Sequence, residues 1–293
     1  MTSVNPKMKV GTSVVHNRGE TFVWHSLRNI ALAVGLVLIL FPMWLVLINC
    51  FKSLEEASQS FFALPQSVNL DNVRELLQSQ NYFRYVGNSL LVTCVSMAVV
   101  AVFIPLVSYA IARNMHRGYY RFLYVYIMLG LFIPSQIILL PIVKQMSSLK
   151  MLNSWGLILL YITFSLTRGV FLFINYIRAL PIEIEEAAQI DGCTVVQTYF
   201  RIVLHLIKPM ISTLVIMDVL WYWNDFQLPL FLLNRSRDMW TLPLFQYNFK
   251  TEYSFDYPMA FTAYIISLFP VLVVYCCCQK YIISGLTAGS VKS

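Results

Sequence analysis

Six long apolar runs restrict this 293-residue chain to one kind of architecture. They lie at residues 28–51, 87–112, 121–144, 155–178, 208–232 and 258–281. Each is long enough as a helix to cross about 30 Å of hydrocarbon. The chain is 58% hydrophobic and only 12% charged, whereas soluble domains carry about 25% charged residues. The expected fold is all-α, a polytopic membrane protein with six transmembrane helices in the lipid bilayer. Pro42, Pro105, Pro134, Pro141, Pro229 and Pro270 fall within the runs. Membrane helices tolerate such breaks where neighbours or water satisfy the freed carbonyls, so these prolines suit a flexing transporter without identifying one.

Loop charges set the expected orientation. The N-terminal segment holds Lys7, Lys9, Arg18 and Arg28 against Glu20 alone. The short loop between the second and third runs carries Arg113, Arg117 and Arg121, and the last segment has Lys280 and Lys292 with no acid. The positive-inside rule puts all three in the cytoplasm, which agrees with an even number of crossings. The longer loops at 52–86 and 234–257 are mixed in sign and face outward. Lys150, in a short outward loop, departs from the rule. The resulting division is a cytoplasmic tail at 1–27, a membrane domain at 28–284 and a cytoplasmic tail at 285–293. The N-terminal segment has no small-residue cleavage site after an apolar core, so no cleaved signal peptide is expected.

The net charge of +7 does not point to nucleic acid, because the basic residues sit at the ends of apolar runs, where topology places them. Cys50, Cys94, Cys193, Cys276, Cys277 and Cys278 show no zinc spacing and no disulfide framework. The four histidines, at 16, 25, 116 and 205, lie outside the runs or at their ends. A membrane enzyme with clustered acid–base groups is therefore disfavoured, and no catalytic residue, metal site or cofactor is expected.

The segment 181–209 is amphipathic and acidic, yet lies between two apolar runs. Pro181 suits a first helical turn, and Glu183, Glu185 and Glu186 follow at the positive end of the helix dipole. Gly192 is fitted to end that helix in the left-handed region. Thr194 is placed as N-cap of a second short helix reaching about Leu206. The segment is expected to form a cytoplasmic helix–turn–helix, with Ala187 and Ala188 leaving a smooth surface for a partner and Glu186 beside them offering a charge. On the residues alone, three acids complementing a helix dipole on an interfacial helix explain the pattern equally well.

The register Glu186-Ala187-Ala188, three residues, Gly192, nine residues, Ile202-x-Leu204 resembles the EAA loop of ATP-binding-cassette importer permeases. The family usually has proline after the leucine, where this chain has His205, and altered geometry is expected there. Trp223-Asn224-Asp225-Phe226 resembles a run found in carbohydrate-importing members. The tail Gly285-Leu286-Thr287-Ala288-Gly289-Ser290-Val291-Lys292 is similar to that of the maltose/multiple-sugar subgroup, in particular its second permease subunit. The resemblance implies a carbohydrate-uptake permease of the bacterial plasma membrane, paired with a second homologous permease. It also implies two ATPase subunits carrying ATP and Mg, and an extracytoplasmic solute-binding protein. The ATPase-coupling residues it implies are Glu185, Glu186, Ala187, Ala188, Asp191 and Gly192. The phosphate-cradling GxxxxGK[ST] pattern is absent, so this chain is not the ATPase.

Arg168 lies ten residues before Arg178, and Asp218 ten after Lys208. At about 1.5 Å per residue both sit roughly 15 Å from the cytoplasmic face. Charges at that depth normally pair or line a wet cavity, and both possibilities stand. Trp221, Tyr222, Asn224 and Asp225, with Trp223, offer ring faces and hydroxyl-bonding groups for a carbohydrate path. The alternative is an interfacial aromatic belt, expected for at least one tryptophan. The outer stretch 241–257, with Asn248, Lys250, Glu252 and Tyr253, is aligned by the resemblance with a loop that contacts the binding protein; otherwise it is an extracellular lid. A polyamine or other non-sugar solute is the alternative cargo. An ion-coupled secondary transporter is the rival mechanism, but it needs more intramembrane carboxylates than Asp218 provides.

Overall fold

A computed structural model describes residues 18–78, 80–247, 249 and 256–288. Every regular element among them is helical. In chain order these are α1 Arg18–Asn49, α2 Leu54–Gln59, α3 Asp71–Gln78, α4 Gln80–Arg113, α5 Gly118–Leu129, α6 Ser135–Ser148, α7 Ser154–Ala179 and α8 Glu183–Ile190. They continue as α9 Val195–Thr198, α10 Leu204–Leu206, α11 Lys208–Asn224, α12 Gln227–Leu233, α13 Leu242–Tyr247 and α14 Tyr257–Ala288.

Among the described residues three helices are each long and apolar enough to cross a membrane: Trp24–Asn49 within α1, Asn81–Arg113 within α4, and α7. The third apolar run, expected as one continuous helix, is broken. A single 3-10 turn, Gly130–Phe132, follows α5, and the axes of Gly118–Phe132 and Ser135–Ser148 differ by 106°. Pro134 is the cause: it drives the preceding Ile133 out of the helical region, to φ −94° and ψ 112°. The fifth run is also broken. α11 ends at Asn224, Asp225 is extended at ψ 125°, and the chain turns helical again at Gln227.

The core forms where α4 and α7 pack along each other, with α11 against both. Gly169 permits that approach, since a Cβ there would stand 2.7 Å from Ile104 and 3.4 Å from Leu214. Val100, Ile104, Leu157, Val170, Phe173 and Ile174 fill the interface and are buried. A second cluster joins Leu76 and Tyr82 to Trp223, Leu242, Met259 and Ala263 around α14. By contrast α1 is apolar all round and exposes Leu32, Leu36, Leu38, Phe41 and Met43 among others. A helix of that kind needs lipid or another apolar surface around it.

The stretch after α1 is anchored. Lys52 is fully buried, its Nζ donating to the Ser60 carbonyl at 2.9 Å and the Phe61 carbonyl at 3.3 Å. Asn72 Nδ2 donates to the carbonyls of Cys50 and Lys52, and Thr262 Oγ1 to that of Cys50. At the same end of the bundle Arg84 pairs with Asp238, and Asn88 Nδ2 donates to the carbonyls of Asp238 and Trp240.

Candidate functional site

The two intramembrane charges meet. Arg168, on α7, donates from Nη2 to Asp218 Oδ1, on α11, at 2.8 Å. The Ser165 and Tyr222 hydroxyls, one helical turn from Arg168 and Asp218, lie 2.5 Å from each other, while Asp218 Oδ2 is buried with no hydrogen-bond partner among the described residues. The two partners differ in surroundings: the Asp218 side chain is 2% exposed and that of Arg168 39%. The Arg168 guanidinium lies 4.6 Å over the Trp221 ring, at cation–π distance. The open side faces a cavity of about 440 Å³.

Both helix breaks line that cavity. Leu131, Pro134, Ser135 and Gln136 come from the break between α5 and α6, and Asp225, Gln227 and Leu228 from the break between α11 and α12. Phe164, Thr167 and Arg168 complete it from α7, with Trp221 from α11. Interrupted helices free backbone groups, which membrane proteins place where protein or a water-filled cavity surrounds them. Asp225 is held in the opening: Oδ2 accepts from Tyr161 OH at 2.9 Å and Oδ1 from the Gln227 amide at 3.1 Å.

The expected path residues therefore divide. Arg168, Trp221 and Asp225 line the cavity, and Asp218 sits behind Arg168. Tyr222 is buried and stacks on Tyr161 at 4.6 Å, away from the opening. Asn224 points elsewhere, bonding the Leu220 carbonyl and lining a separate cavity of about 230 Å³. Trp223 is buried against α14, with Nε1 donating to the Ser267 carbonyl at 3.3 Å. Each tryptophan has a partner within the bundle, Trp221 packing on Tyr161 and Trp223 bonding the Ser267 carbonyl. Gln136, Thr167 and Gln227 escaped the sequence reading; Pro134 followed by Ser135-Gln136 inside an apolar run was the available signal. Asn248, Lys250, Glu252 and Tyr253 lie outside the described residues.

At one end of the bundle the chain folds into the expected helix–turn–helix. Gly192 has φ +89°, with its amide bonded to the Gln189 carbonyl and the Cys193 amide to that of Ala188. This is the Schellman arrangement that closes a helix at glycine. Thr194 and Gln197 form a reciprocal capping box at the start of α9. One π-helical turn, Tyr199–Val203, links α9 to α10 before the chain bends 69° into α11. Glu186, Ala187, Asp191 and Gly192 are exposed, together with Ile190, Val195 and Val196. Ala188 and Glu185 turn inward. His205 sits within the three-residue α10, two residues before Ile207, where the chain bends.

A helical bundle with a widely apolar outer surface, a cavity of mixed polar and apolar lining between interrupted helices and a projecting loop has the build of a polytopic membrane protein. The chain belongs to the family of binding-protein-dependent transport system inner membrane components, whose model matches residues 101–287. It is 42% identical to the multiple sugar-binding transport system permease protein MsmG of Streptococcus mutans, over 90% of this chain and 96% of that protein. It is 31% identical to the diacetylchitobiose uptake system permease protein NgcG of Streptomyces coelicolor, over 87% of this chain and 85% of the relative. The fold matches a chain in the crystal structure of a bacterial ABC transporter that imports the acidic polysaccharide alginate. That match has a TM-score of 0.76 at 21% identity and covers 90% of this chain and 98% of the other.

Proposed function

We propose that this chain is one of two permease subunits of an ATP-driven, binding-protein-dependent importer of an oligosaccharide in a bacterial plasma membrane. The observation that carries the proposal is similarity along nearly the whole chain to a permease named for multiple-sugar transport. The helix–turn–helix in register with the EAA pattern adds to it. In this reading six spans put both termini in the cytoplasm, with α8 to α10 facing two ATPase subunits that bind ATP and Mg. Glu186, Ala187, Asp191 and Gly192 form the contact face, and Ala188 and Glu185 turn away from it into the bundle. The solute-binding protein delivers sugar at the opposite end. This subunit chemically transforms nothing; it holds half of a path and moves with the ATPases.

The cavity suits such a path. Trp221 gives a ring face for a pyranose, while Gln136, Thr167, Gln227 and Asp225 give hydroxyl-bonding groups around it. Arg168 is neutralised by Asp218, so the guanidinium orients the indole without presenting an unpaired cation. The test is to disrupt the gene in its native host and measure uptake of labelled neutral oligosaccharides. Loss of uptake of one sugar class, restored by the intact gene, supports the proposal. Unchanged uptake of every sugar, with loss of polyamine or amino-acid uptake, contradicts the cargo assignment.

A further inference from the structure

Glu185 is the most enclosed acid of the projecting loop, and it faces away from the surface offered to a partner. Its Oε1 accepts from Arg113 Nε at 2.9 Å and Nη2 at 2.6 Å, and its Oε2 accepts from Tyr109 OH at 2.9 Å. The side chains of Arg113 and Glu185 are 15% and 6% exposed, so the pair is largely removed from water. Arg113 is the last residue of α4 and Glu185 lies in the first turn of α8; each charge complements its own helix dipole as well as its partner. The Tyr109 ring also packs on Tyr199, centroids 5.1 Å apart, in the π turn of the second arm. The end of α4 thus grips both arms of the loop.

The line continues through α4. Ile104 lies against Gly169, closely enough that a methyl group there would clash, and Leu214 meets the same glycine. Gly169 adjoins Arg168, and Leu214 is one helical turn from Asp218. One continuous helix, carrying Pro105 next to Ile104, therefore runs from the Glu185 carboxylate to the packing beside the ion pair.

We infer that Glu185, held by Arg113 and Tyr109, is a positioning residue that transmits movement of the loop into α4, and through α4 to the Arg168–Asp218 pair. It is not a contact for the ATPase; that role stays with Glu186 and the exposed face. The inference rests on the importer reading above. A largely buried charge pair with two guanidinium N–H groups on one carboxylate oxygen and a phenol on the other suits transmission, because its geometry is directional and separation leaves a charge uncompensated. Such a joint resists sliding, whereas an apolar contact permits it.

The experiment uses the complete importer, with binding protein and sugar, in proteoliposomes. Three quantities are read for Glu185→Gln, Tyr109→Phe and the exchange R113E with E185R: the ATPase retained on purification, the rate of ATP hydrolysis, and sugar taken up per ATP. The expected result is full ATPase retention with sugar per ATP falling about three- to thirtyfold in Glu185→Gln, the range of couplings along packed lines. Tyr109→Phe, the milder change, falls less, and the exchange recovers most of the loss. A merely structural brace lowers thermal stability and leaves sugar per ATP unchanged; that result overturns the inference. So does loss of ATPase in proportion to loss of uptake, which makes Glu185 a docking contact. Wild-type vesicles without ATP-dependent uptake refute the importer reading itself, a separate outcome.

Discussion

Removing Arg168 is expected to destabilise this protein far more than removing Asp218, although the two share one ion pair. The asymmetry follows from their surroundings. Asp218 has a side chain 2% exposed, and Arg168 one that is 39% exposed. Arg168→Met leaves a buried carboxylate with only hydroxyls for company, and breaking a buried pair in this way costs about 3–5 kcal/mol. In Asp218→Asn, Arg168 keeps its place over Trp221, a contact worth about 1–2 kcal/mol when partly desolvated. It also still reaches the cavity, so the cost falls to about 1.5–3 kcal/mol, that of a lost charged hydrogen bond. The gap of about 2 kcal/mol corresponds to roughly 5 °C in Tm for a chain of this size. The double variant Arg168→Met with Asp218→Asn removes the stranded charge and should be more stable than Arg168→Met alone. Thermal unfolding of the purified complex, with tryptophan fluorescence and ATPase co-purification as independent readouts, measures all three variants. Equal losses in the two single variants, or additive losses in the double, refute this account of the pair.

Other consequences are as direct. Glu186→Ala, on the exposed face, should lower ATPase retention and sugar uptake together while leaving the subunit's stability within about 0.5 kcal/mol, the usual range for surface changes; unaffected retention and uptake contradict its place in the contact face. Gly169→Ala should cost about 1–3 kcal/mol by overpacking against Ile104, and that cost should shrink when measured in an Ile104→Ala background, the coupling expected of residues in contact. Gly192→Val should be worse than Gly192→Asn: nothing lies within 4 Å of a Cβ there, so the cost is that of φ +89°, about 1–2 kcal/mol for a side chain disfavouring that region. Uptake assays ordering the variants as glycine, asparagine, valine would confirm it.

What could be read in the sequence was whatever short-range chemistry decides. The apolar runs located the helices because lipid demands continuous backbone pairing. Thr194 and Gly192 marked their caps because those positions ask for particular side chains and dihedrals. The pairing of Arg168 with Asp218 was one of two stated outcomes, since depth alone brings the two charges level. Other features depended on packing. Pro134 could kink a helix slightly or break it outright, and only the packed structure shows the 106° bend. Three acids at the start of α8 look alike in sequence; only the position of Arg113 on α4 selects Glu185 to turn inward. Trp223 belongs to the α14 interface rather than to the path, a distinction of helix face that no short motif records.

The central claim is that ATP, not an ion gradient, drives a sugar past this subunit. Purified importer, reconstituted in proteoliposomes with its solute-binding protein, should accumulate labelled oligosaccharide only when ATP and Mg reach the ATPase side and the binding protein is present at the other. Accumulation driven by a proton or sodium gradient without ATP would contradict the account.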